Sequence, residues 1–123
     1  MERLWVGFGA IFGLTTVAMA AYAAHGLQGA APATLAAVGN AVQMQGLHAL
    51  ALLFTGLWGR RGGLLAQLAG LAFVVGIVLF CGTIYQQVGP DWLRAWRMSR
   101  LAPFGGTTLM LGWGLLAVAA LRR

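Results

Sequence analysis

Every charged side chain in this sequence lies at an end of an apolar run. The eight arginines are Arg3, Arg60, Arg61, Arg94, Arg97, Arg100, Arg122 and Arg123. They bracket runs at 4–24, 33–58, 64–88 and 102–121. Arginine placed this way marks the edges of membrane-spanning segments. The first run holds 21 residues, which as a helix covers roughly 31 Å, the thickness of a hydrocarbon core. Composition agrees. Only 8% of the 123 residues are charged and 60% are hydrophobic, whereas a soluble domain needs about a quarter charged. The expected fold is an all-α integral membrane protein. It has four transmembrane helices in an antiparallel bundle, forms a single domain over 1–123, and carries a short interfacial segment between helices 3 and 4.

The net charge of +6 does not point to nucleic acid, because the arginines flank apolar runs instead of forming a patch interleaved with aromatics. The single cysteine, Cys81, excludes an intramolecular disulfide and cannot by itself build a metal cluster.

Ala21-Tyr22-Ala23 would suit a signal-peptide cleavage site, but the first run is long for a signal sequence and reads as a true span. Gly9 and Gly13 form a G-x-x-x-G pair suited to close helix approach. Pro32, Pro90 and Pro103 all fall at expected boundaries, where proline opens a helix or stops one. Gly59-Arg60-Arg61-Gly62-Gly63 reads as a tight basic turn. The stretch from Asp91 to Arg100 sorts its two tryptophans to one side of a helical wheel and its three arginines to another. Trp92, Arg94, Trp96, Arg97 and Arg100 therefore read as an interfacial segment touching headgroups or a partner. Four spans place both termini on one side, with five arginines against three on the other. That bias favours cytoplasmic termini in a bacterial inner membrane.

The second run carries polar groups at a depth where they are expensive. Asn40, Met44 and His48 repeat at i, i+4, i+8 and form one stripe. Gln43 lies a step to one side and Gln45 further round. The stripe reads either as an interhelical hydrogen-bond network or as a ligand site, and its imidazole is expected to be uncharged. Trp113, well inside the last run, should have an acceptor for its indole N–H. No carboxylate lies in any span, so a proton-coupled exporter is disfavoured. There is no nucleophile–base pair, phosphate loop or metal motif. An enzyme is not expected, nor is a resident cofactor or metal.

Four stretches resemble one family. Ala21-Tyr-Ala-Ala-His25-Gly-Leu resembles the end of its first helix, and Asn40 to Leu53, with His48 in an "HALALL" string, its second. Gly76 to Tyr85 resembles a "GillFsGSlY" pattern. Ala102-Pro103-Phe-Gly105-Gly106 followed by Gly112-Trp113 resembles "TPiGG…GW". Together they resemble domain-of-unknown-function family 423, the small YgdD-like inner-membrane proteins. The resemblance implies four membrane helices and marks His25, His48, Tyr85, Pro103, Gly105, Gly106 and Trp113 as motif positions. It implies no activity. This sequence departs from the pattern at Met44, Gln45, Cys81 and Ala102. The expected role is an accessory or structural subunit, with membrane lipids and other membrane subunits as partners. The alternatives are a small transporter or channel, or binding of a lipid, quinone or haem around His48.

Overall fold

A computed structural model describes residues 1–96 and 98–122. Arg97, expected at the interface, and Arg123 lie outside the described residues. The described elements are all helical. Helix α1 spans Glu2–His25. A short connection follows, in which Gly29 takes φ 86°. Pro32 then opens α2 at Pro32–Gln87. A four-residue helix α3, Asp91–Arg94, and a 3-10 turn, Met98–Leu101, lead to α4 at Ala102–Leu121. Three helices, α1, α2 and α4, are long and apolar enough to cross a membrane.

Helix α2 has 56 residues, which would extend roughly 84 Å if straight, far beyond a bilayer. It is not straight. Gly63 has φ 61° and ψ −151°, a region open essentially to glycine alone. There the chain doubles back. The Cys81 thiol donates to the Ala41 carbonyl at 3.3 Å, and the rings of His48 and Phe73 lie 5.6 Å apart. The arms 32–62 and 64–87 thus run in opposite directions. The helix continues through Arg60, Arg61 and Gly62, so the reversal is narrower than the basic turn expected from the sequence.

Helices α1 and α4 each pack on α2 and not on one another. The seams are tight because small residues line them. A Cβ on Gly9 would meet the Ala49 carbonyl oxygen at 2.9 Å. A Cβ on Gly105 would meet Phe80 Cα at 2.8 Å, so α4 lies against the second arm almost backbone to backbone. Gly13 meets nothing, so only half of the G-x-x-x-G pair is a contact. The core between the arms holds Leu52, Ala66, Ala69, Phe73, Ile77 and Cys81, with Leu109 from α4. At the end carrying both termini, Trp5 donates to Gln67 Oε1 at 2.6 Å, and Arg60 pairs with Glu2 at 3.1 Å.

Candidate functional site

The polar centre lies where the first arm, the second arm and α4 meet. His48 projects from the first arm and is 2% exposed. Trp113, near the middle of α4, donates its indole N–H to His48 Nε2 at 3.0 Å. On the other side of the ring, Nδ1 lies 2.6 Å from the Met44 carbonyl oxygen. An indole can only donate, and a carbonyl can only accept. Nε2 must therefore carry the lone pair and Nδ1 the proton. Phe73 closes the third side, edge-on to Trp113 at 5.3 Å. Gly112 lets Phe73 reach this place, since a Cβ there would lie 2.6 Å from the phenyl ring.

This arrangement fixes what the imidazole can do. Both ring nitrogens are engaged, so a metal ligand bond or proton transfer at Nε2 must first displace Trp113. No group of three or more potential metal ligands occurs among the described residues. Tyr85, a motif position, is not part of the centre. It lies twelve residues along the second arm from Phe73, roughly 18 Å. Its hydroxyl is buried with no hydrogen-bond partner among the described residues. The open groove beside it, about 540 Å³, is lined by Met19, Tyr22, Tyr85 and Leu93 among others.

The expected stripe is divided. His48 is buried and Met44 half-buried, but Asn40 and Gln43 are exposed. Gln45, which the wheel set furthest round, is the buried amide. Its Nε2 donates to the Phe12 carbonyl at 3.0 Å and to Thr15 Oγ1 at 2.6 Å, tying the first arm to α1. Periodicity placed these residues relative to one another without showing which face turned inward.

The remaining candidates lie at the periphery. His25 ends α1 and is exposed. Pro103 lies in the first turn of α4. Gly105 is buried at the α4 seam, and a Cβ on Gly106 would only graze Phe80 at 3.9 Å. Trp92 and Trp96 are both well exposed. Arg94 donates to the Gly89 carbonyl at 3.2 Å and faces Asp91 at 3.8 Å. Arg100 is exposed. Gln86, which sequence reasoning did not single out, donates to the Leu93 carbonyl at 2.6 Å and secures α3 to the second arm. Its only signal was a paired amide just before Gly89-Pro90.

A family model described as "Protein of unknown function (DUF423)" matches residues 19–106. The chain belongs to the DUF423 family. Curated relatives carry the UPF0382 name. The UPF0382 membrane protein of Haemophilus influenzae is 29% identical over 99% of this chain and 97% of its own length. The inner membrane protein YgdD of Escherichia coli K12 is 30% identical over 98% of this chain and 92% of its own. YwdK of Bacillus subtilis is 30% identical over 98% of each. No solved structure matches. The chain is thus an integral membrane protein of an uncharacterised family.

Proposed function

We propose that this protein is a non-catalytic membrane subunit that works within a larger membrane assembly. It crosses a bacterial inner membrane four times as an antiparallel bundle, with both termini on the cytoplasmic side. The doubling of α2 at Gly63 supports four crossings, because each arm is long enough to span the bilayer.

The observation that carries the assembly reading is the pair of uncovered amides, Asn40 and Gln43. His48 lies level with Trp113, near the middle of α4, and so close to the bilayer centre. Gln43 and Asn40 precede it by five and eight residues, roughly 8 and 12 Å, which keeps both within the hydrocarbon. Both are exposed, and neither has a hydrogen-bond partner among the described residues. Polar side chains at that depth face protein or water, not lipid. Two other deep polar groups, by contrast, are bonded within the chain, His48 to Trp113 and Gln45 to α1. The exposed Trp92, Trp96 and Arg94 offer a second surface, suited to headgroups or to a partner's flank.

The test is gentle extraction from the native membrane followed by native mass spectrometry. The reading predicts recovery in a defined assembly of more than one chain. Recovery only as a lone chain would overturn it.

A further inference from the structure

We infer that the outward face of the first arm, centred on Asn40 and Gln43, docks against a second copy of this chain in parallel, about a twofold axis along the membrane normal. This rests on the reading above, that protein covers the two amides.

A partner covering this face must present a donor and an acceptor at two depths one helical turn apart. Each carboxamide carries both functions. A twofold axis places Asn40 opposite Asn40, and Gln43 opposite Gln43, at equal depth. Interfaces of this kind are self-complementary by construction. An unrelated helix would need matching polar groups at the same two depths, whereas a second copy supplies them by symmetry. Copies inserted in the same orientation meet this condition without further adjustment.

The surface is also shaped for close approach. A Cβ on Gly39 would meet nothing within 4 Å, so this chain leaves the space beside the amides empty. Ala36, one turn earlier, is exposed too. Small residues flanking an amide let two backbones come near enough for side chains to bond across the seam. Leu47 continues the same face and is 52% exposed. The outward face of α4, with Met110 at 73% exposure, carries no comparable amide and reads as lipid-facing.

The experiment places the photocrosslinker benzoylphenylalanine at Leu47, which leaves both amides in place, and irradiates native membranes. Met110→benzoylphenylalanine is the control. The proposal predicts an adduct with the mass of two copies at position 47 and not at 110. An adduct with a different protein would overturn the second copy while leaving the assembly reading intact. An adduct with lipid alone, or none, would overturn both. Equal dimer adducts at 47 and 110 would mark non-specific contact and overturn the proposed face. Adding Asn40→Leu and Gln43→Leu should lower the dimer adduct roughly tenfold. Both side chains lie outside the core, so the folded monomer should persist, and Gln43→Asn should retain the adduct. A dimer adduct undiminished by the leucine pair would show that the amides do not hold it.

Discussion

At the centre of the molecule, one hydrogen bond sets the state of one imidazole. Because Trp113 can only donate, the geometry requires the neutral, Nδ1-protonated form of His48. Solid-state ¹⁵N spectra of labelled protein in bilayers should show that tautomer. An Nε2-protonated ring or an imidazolium would contradict the assignment. Trp113→Phe keeps the edge contact with Phe73 but leaves Nε2 unpaired. Polar contacts inside membranes average about 0.6 kcal/mol and reach about 1.7, so the expected loss of stability lies in that range. Equilibrium unfolding in mild detergent measures it, and a double-mutant cycle with His48→Ala isolates the pair. The need for a partner at Trp113 was legible in the sequence, since an indole N–H buried in a span must donate somewhere. The identity of that partner was not, because it lies 65 positions away along the chain. Nor could the sequence tell Gln45 from Gln43. The segment is apolar on every side, so no amphipathic contrast shows which amide turns inward.

Among the elements, glycine decides where helices bend and where they touch. Gly105→Ala places a methyl against the Phe80 backbone and forces α4 away from the second arm. Overpacking of this kind costs about 1–3 kcal/mol. Gly114→Ala is the matched control, since a Cβ there meets nothing within 4 Å, and it should change stability by less than about 0.5 kcal/mol. Thermal unfolding of the two variants side by side would expose an error if their losses matched. Gly63→Ala must hold a side chain at φ 61° and should cost about 1–3 kcal/mol. Unfolding midpoints equal to those of the parent would show that the reversal does not depend on that conformation. Prolines and the charged turn made the chain's interruptions visible, because both act locally. Which glycines formed contacts was hidden, since Gly9 and Gly13 read alike until a facing helix distinguishes them.

For the whole molecule, the balance between satisfied and unsatisfied polar groups separates the inside from the outside. His48, Gln45 and Gln67 tie the arms to α4 and α1, while Asn40 and Gln43 face outward, on the proposed reading within the hydrocarbon, where lipid offers no hydrogen bond. On the proposed reading, a chain of this size closes its own core and presents an edge for another protein to complete. Family membership leaves the activity open, so the edge carries the functional account. The most direct measurement is the oxygen accessibility of a spin label at Leu47→Cys in native membranes, compared with one at Met110→Cys; Cys81 is buried and should remain unlabelled. The account predicts that the label at 47 is shielded from lipid-dissolved oxygen while the label at 110 is open to it. Equal, high accessibility at both positions would mean that lipid bathes the amide face, and would contradict the claim that protein covers it.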